Sequence, residues 1–512
     1  MRHLIRLLCL WLAGTVAAQC AESPPDRGVR PPRPPAFASL YQGNCAVCHG
    51  EDLRGAAQAG PLIGVELPGG DSVEAIAASI SRGNPDTGMP SWKATFSQEQ
   101  IRQLAIFVAE TRAGMVFSDF RVGAPFELPL DPVDSKRHRF QLEPVIEGLD
   151  RYPYSIAALP DGRILLTEKT RGLTIVSTLG VQSSLIEGAP IGHAMHMARD
   201  TIQFGTGYLM DVALHPNYAN NGWIYLHHGH QCLDCAKPTR RRPSPASMNR
   251  LIRGRIKDGH WVDEQTIWSA RREHYTTNTE MAAGGRIAFD PDGFVFISVG
   301  MKAGYEGIQD LRFPYGKIHR VHDDGRIPLD NPFIDVGGAI KSTWTYGHRS
   351  PQGLEFDPAH GLLWGTEMGP RGGDEVNLLK RGRNYGWPLF SKGIHYNGNR
   401  VGTGIVTELT LADIEQPVVD LTPGPAVSSL VIYQGDAFPA WRGNLLVGTL
   451  KGTELYRIEV KDGRLVSRET LLGPLARIRD IEVEPDGNVL LLLEHRTESQ
   501  IVRMTPTRGP DA

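Results

Sequence analysis

The chain contains no block of five or six like charges, and its formal net charge is only -3. It gives no reason to expect a nucleic-acid partner. The apolar run from Leu7 to Ala18 falls short of the ~20 residues a bilayer-spanning helix needs, so no transmembrane segment is expected. Cysteine is scarce, with six residues in 512. That length is too great for one ordinary core and suits two or three domains. The 57 glycines and 37 prolines point to many turns and few long helices, a texture of β-rich architecture.

The first 18 residues read as an export signal. Arg2 and Arg6 make a positive start, Leu7 to Ala18 the apolar stretch, and Val16-Ala17-Ala18 a small-residue cleavage site. Cys20 lies just past the cut, but Gln19 before it argues against lipid attachment. The expected location is the periplasm. Residues 19–36 form a Pro- and Arg-rich linker unable to pack a core.

Cys45-Ala46-Val47-Cys48-His49 has the spacing of a covalent c-type haem site. Each thiol can add to a haem vinyl group, and His49 then falls under the iron. Residues 37–112 read as a small helical domain around that haem. Ser97 and Gln100 form a capping box, and Phe96 can staple against Ile101. Ile101, Leu104, Ala105 and Val108 fall on one face of the helix that follows. Met89, in the loop Thr87-Gly88-Met89-Pro90, is the candidate second axial ligand, a soft thioether that raises the haem potential. This segment resembles the class I cytochromes c. Cys232 and Cys235 make a second Cys-x-x-Cys without a following histidine. They read as a local disulfide, with a metal site including His227, His228 or His230 as the alternative.

After an irregular connector, 113–140, short apolar stretches alternate with turns over 141–507. Ser155 to Leu166, Arg286 to Ile297 and Asp480 to Leu491 each read as strand, Pro-Asp-Gly turn, strand. With degenerate copies at Pro216 and Pro358 and a strand pair through Leu445, about six hairpins recur. Such spacing predicts an all-β propeller with four strands per blade; a tandem of β-sandwiches is the alternative. In the connection from Glu367 to Glu375, carboxylates and backbone carbonyls in a Gly-rich loop suit calcium.

Gly369-Pro370-Arg371-Gly372-Gly373-Asp374-Glu375, followed by Asn384-Tyr385-Gly386-Trp387-Pro388, resembles the soluble sugar dehydrogenases that use pyrroloquinoline quinone (PQQ). So do Gly347-His348-Arg349-Ser350-Pro351-Gln352-Gly353, Leu450-Lys451 and Arg477-Ile478-Arg479-Asp480. The resemblance runs from about Gln141 to Met504 and implies a six-bladed propeller. It implies that Lys451, Arg477 and Arg479 hold the quinone's carboxylates. Arg349 would stand beside the quinone carbonyls, where it stabilises developing charge. The carbonyls of Gly369 and Pro370 would hold a calcium ion, and Glu375 and Tyr385 a second, structural one.

The chain departs from that family at its general base. The position of the family's proton-accepting histidine, before Gly285-Arg286, is Ala282. The position of the carboxylate that orients that histidine is Met301, and Thr206 replaces a further polar residue. His274, in a polar stretch eight residues earlier, is the candidate replacement base; Glu280, His193 and His196 are others. The expected function is a periplasmic quinohaemoprotein dehydrogenase that oxidises a sugar or polyol. Electrons would pass through the haem to a downstream periplasmic acceptor. The alternatives are a catalytically altered propeller with a binding role, its cytochrome working as a separate carrier, and an electron-carrying subunit of another dehydrogenase.

Overall fold

A computed structural model describes residues 36–115, 120–150, 152–192, 197–198, 202–203, 205–237, 239, 245–302, 304–305 and 307–507. The export segment 1–18 and all but the last residue of the linker lie outside the described residues, as do His193 and His196.

Helices come first. They are α1 (Ala36–Asn44), α2 (Ala46–His49), α3 (Val73–Arg82) and α4 (Gln98–Arg112). The Ala75 amide donates to Ser72 Oγ at 3.1 Å and caps α3. At α4 the capping box closes in both directions: the Gln100 amide donates to Ser97 Oγ at 3.2 Å, and the Ser97 amide to Gln100 Oε1 at 2.9 Å. Both bonds satisfy amides that have no partner inside the helix. Ile101, Leu104, Ala105 and Val108 are buried with Tyr41, Ile76, Ile80 and Phe96 in one apolar core.

The remainder is a ring of six sheets with a separate two-stranded ribbon, Met197–Ala198 paired with Ile202–Gln203. Their innermost strands are Pro153–Ala158, Leu209–Leu214, Gly284–Phe289, Pro351–Asp357, Val427–Ile432 and Arg477–Val483. Each packs against the next, and the last packs against the first. In that order they begin blades 1 to 6. Blades 2 to 5 are four-stranded antiparallel sheets, and blade 1 shows three strands among the described residues. The Pro-Asp-Gly turns join the first two strands of blades 1, 3 and 6. Their Gly162, Gly293 and Gly487 have φ of 85°, 83° and 87°, a region that a side chain disfavours.

Blade 6 is completed by a strand from far earlier in the chain. Arg139–Leu149 runs antiparallel to Ser499–Pro506, with Phe140 opposite Pro506 and Leu142 opposite Met504. Phe140 then packs with Phe438 and Trp441 of blade 5, sealing the ring with apolar contact. Val133–Asp134 adds a short outer strand to the same sheet, inside the stretch read from sequence as irregular. Two residues carry no readable alternation. Cys232 and Cys235 are joined as a disulfide, and no helix among the described residues is long and apolar enough to cross a membrane.

The helical unit is seated on the blade 4 loop around residues 391–400. Ile394 of that loop is buried in the helical core. Gln103 Nε2 donates to the Gly398 carbonyl at 2.6 Å, and the Arg400 amide donates to Glu99 Oε1 at 2.5 Å. Near the end of α4, Glu110 pairs with Arg371.

Candidate functional site

Two cavities hold the sequence-selected residues. The first, of about 850 Å³, lies in the helical unit and is lined by Cys45, Cys48, His49, Met89, Leu104 and Val108, among others. Cys45, the N-cap of α2, and Cys48, within it, are free thiols, and His49 is its last residue. His49 Nδ1 lies 3.4 Å from the Gly60 carbonyl, an arrangement that leaves Nε2 as the ligand-facing nitrogen. Met89 follows Gly88, whose left-handed conformation ends the turn Pro85–Thr87. Paired amide–carbonyl bonds with Asn84, at 2.9 and 3.0 Å, pin the Met89 backbone. Two thiols, an imidazole and a thioether around one roomy cavity are the donor set a covalent haem requires.

The second cavity, of about 230 Å³, sits on the propeller axis. Tyr154, Met210, Gly284, Gln352 and Arg477 line it, and each lies in the first two residues of an innermost strand. The cavity is therefore the axial mouth at which those strands begin. Lys169, Arg349, Lys451, Arg477, Arg479 and Arg496 face it against Glu280, Asp374 and Glu494. Two of these carboxylates are committed locally. Asp374 accepts the Gly369 amide at 3.0 Å and the Val427 amide at 2.9 Å. Glu280 accepts from Lys302 Nζ at 2.6 Å, Ser247 Oγ at 2.5 Å and the Tyr208 amide at 2.6 Å. What remains is a buried cationic mouth suited to a polyanion.

Arg349 donates from Nη1 to the carbonyls of Met368 at 2.9 Å and Gly369 at 2.8 Å, and from Nη2 to the Tyr396 hydroxyl at 3.0 Å. Its Nε is buried without a partner among the described residues. Arg349 itself lines the cavity, and a buried guanidinium there with a donor to spare fits a bound quinone. Gly369 and Pro370 line the same cavity; a calcium ion at the Gly369 carbonyl would compete with Arg349 Nη1, which bonds that oxygen. The two residues named for a second calcium do not line this cavity. Tyr385 donates its hydroxyl to the Leu378 carbonyl at 2.5 Å and accepts the Lys380 amide at 2.8 Å. Glu375 is cross-strand to Glu367; burial and the Glu367 charge push its carboxyl up. Among the described residues, three metal-ligating side chains converge only at Cys232, Asp234 and Cys235, where both thiols are in the disulfide.

His274 lies outside the lining of the axial cavity. It ends the turn Arg272–His274 and packs edge-on to Phe313 and Tyr315. Ala282 does line it, and no histidine does among the described residues. Glu280, the other described candidate, has 0% side-chain exposure and both oxygens held. Met301 packs against Ile308, Trp387 and Val401. Thr206 donates its hydroxyl to the Pro245 carbonyl at 2.9 Å.

Sequence reasoning missed Lys169 and Glu494. Burial and then the charges of Arg479 and Arg477 bring the Lys169 ammonium down to about 7. The same three cations hold the Glu494 carboxyl far below its ordinary range against the cost of burial. Neither residue belongs to a motif; they meet because blades 1 and 6 are neighbours in the closed ring. A further cavity of about 270 Å³ lies deeper in the channel, lined by Asp211, Arg286, Glu355, Asp480 and Glu482. Burial, followed by Asp211, Asp480 and Asp357, pushes Glu355 up to about 8.

A helical unit with the Cys-x-x-Cys-His cavity, joined to a six-bladed propeller with a cationic axial mouth, defines a cytochrome c domain fused to a dehydrogenase-type propeller. The sequence profile described as "Glucose / Sorbosone dehydrogenase" matches residues 150–503, and the chain belongs to that family. Residues 32–108 match "Cytochrome C oxidase, cbb3-type, subunit III". Aldose sugar dehydrogenase YliI of Escherichia coli is 32% identical over 69% of this chain and 90% of its own length. Cytochrome c55X of Paracoccus denitrificans is 31% identical over 21% of this chain and 94% of its own. The crystal structure of the soluble aldose sugar dehydrogenase from E. coli in the apo form superposes with a TM-score of 0.63 at 31% identity, covering 72% of this chain and 100% of that one.

Proposed function

We propose that this protein is a periplasmic quinohaemoprotein dehydrogenase that oxidises a sugar or polyol with PQQ. Its electrons leave through a covalent haem c to a downstream acceptor. The observation that carries the reading is the cationic axial cavity, held against the haem-type cavity of the same chain through α4. When bound, PQQ with calcium supplies an electrophile that takes two electrons from an alcohol carbon.

The chain's own residues do the rest. Lys451, Arg477 and Arg479 neutralise carboxylates that would otherwise be buried at high cost. Arg349, bonded at its Nη atoms to Met368, Gly369 and Tyr396, would stabilise negative charge on the quinone once calcium takes the Gly369 carbonyl from it. The Gly369 and Pro370 carbonyls offer hard oxygen ligands to calcium. Cys45 and Cys48 would tether the haem, with His49 and Met89 as axial ligands. Residues 1–18 carry the chain to the compartment where such attachment occurs.

A second reading, a propeller that binds and does not turn over, is favoured by Ala282 and the lack of a histidine among the described residues lining the cavity. Reconstitution of haem-loaded protein with calcium and PQQ, followed by addition of aldoses and polyols, separates the two. Haem reduction by one of them supports the dehydrogenase. PQQ binding without reduction by any of them favours the binding role, and failure to bind PQQ removes the first reading.

A further inference from the structure

Three cations meet one carboxylate where blade 6 adjoins blade 1. Arg477 Nε donates to Glu494 Oε1 at 2.9 Å, Arg479 Nε donates to Glu494 Oε2 at 2.6 Å, and Lys169 Nζ lies 3.5 Å from Oε2. All four side chains line the axial cavity. The arginines project from an innermost strand, Glu494 ends its neighbour Val489–Glu494, and Lys169 sits between the second and third strands of blade 1.

A salt-bridge cluster formed only to stabilise the fold would balance its charge, since buried cations repel one another. This one does not. The Tyr154 ring lies 5.7 Å from Lys169 Nζ, and the Tyr154 hydroxyl is neutral, donating to the Gly284 carbonyl at 2.7 Å. On the lysine's own segment, Glu168 is bound to Arg171 at 2.8 and 2.9 Å. The third wall adds Arg496, another cation. Among the described residues, the corner therefore carries three cations against the single carboxylate of Glu494, an excess of positive charge. Lys169 has 15% side-chain exposure, so its free face is turned to the cavity.

We infer that Lys169 completes, with Arg477 and Arg479, a carboxylate-binding corner, and that it contacts one carboxylate of the bound quinone. The inference rests on the PQQ reading and adds a residue from blade 1 to it. Its consequence is proton uptake. In the empty cavity the lysine is poised near neutrality; an anion beside it favours the ammonium. Above about pH 7, each PQQ bound there draws a proton onto Lys169.

The test uses the full-length, haem-loaded protein with calcium, and PQQ binding by equilibrium dialysis between about pH 6 and pH 9. Lys169→Met should weaken binding ~10–100-fold at the acid end, the worth of a hydrogen bond to a charged group. Wild-type affinity should fall by up to ~10-fold per pH unit above about pH 7, and in weak buffer at pH 8 the protein should take up protons as PQQ binds. Lys169→Met should show neither effect. Lys169→Arg should keep the affinity and lose the pH dependence, because its charge does not titrate. Wild-type-like binding by Lys169→Met overturns the corner alone. No PQQ binding by the wild type overturns the proposed cofactor itself.

Discussion

Glu110 and Arg371 form a buried ion pair between the last turn of α4 and the loop that carries Gly369 and Pro370. Arg371 Nε donates to Glu110 Oε1 at 3.0 Å and to Oε2 at 2.9 Å, and Nη2 donates to Oε2. The two residues are 1% and 4% exposed. The Ile394 amide donates to the Arg371 carbonyl at 3.0 Å, so the same arginine also holds the loop buried in the helical core. Val108 on α4 lines one cavity and Pro370 the other, which makes this pair the shortest bonded connection between them described above.

Breaking that pair should separate docking from chemistry. Glu110→Ala takes the carboxylate from a buried arginine, a loss of ~3–5 kcal/mol, whereas a double change to apolar residues of similar volume should recover most of it. Denaturant titration of the two variants checks the difference. In reconstituted protein, Glu110→Ala should slow haem reduction by substrate while a small dye that collects electrons at the propeller is reduced as before. Equal loss with both acceptors would show that the pair does not govern transfer.

Ala282→His should restore a proton acceptor at the axial mouth. A positioned general base is worth ~10²–10⁴ in rate, but Met301 offers the new ring no carboxylate. We expect about a tenfold gain in kcat/KM for aldoses from the single change, and a larger gain when Met301→Asp accompanies it. Unchanged rates in both variants would place the base elsewhere.

Met89→Leu should lower the haem midpoint potential, because loss of a thioether ligand favours the ferric ion. Potentiometric titration reads this directly, and an unchanged potential would remove Met89 from the coordination sphere. Cys45→Ser with Cys48→Ser should release the haem under denaturing extraction.

Glu355 makes stability depend on pH. Its carboxyl is raised to about 8 in the fold, so the native state holds a proton that the unfolded chain has lost between about pH 4.5 and 8. Stability should therefore fall as pH rises through that window, by at most ~1.4 kcal/mol per unit from this group. Glu355→Gln should flatten the decline in a series of denaturant midpoints. A steeper decline in the variant would contradict the assignment.

What could be read from sequence was what is local or repeated. Cys45, Cys48 and His49 lie within one turn and a half, and the Pro-Asp-Gly hairpins recur with the same glycine geometry. Arg349, Lys451, Arg477 and Arg479 were selected by motif, and the fold brings all four to one cavity. Lys169 and Glu494 could not be paired beforehand, because 325 residues separate them and only ring closure makes them neighbours. His274 was attractive for its nearness to Ala282 along the chain. The turn Arg272–His274 instead tucks its ring beside Phe313 and Tyr315, showing that eight residues of irregular chain fix no direction.

The strand Arg139–Leu149 has a consequence for the order of assembly. It precedes every blade, yet its partner Ser499–Pro506 follows all six innermost strands. Contacts so distant along the chain are slow to form, whereas α1 to α4 are close in sequence and pack locally. A growing chain therefore can complete the helical unit with its Cys45–His49 segment while the ring is still open. The cavity among the helices is ready before the one on the propeller axis, and a break in Ser499–Pro506 leaves the first without the second.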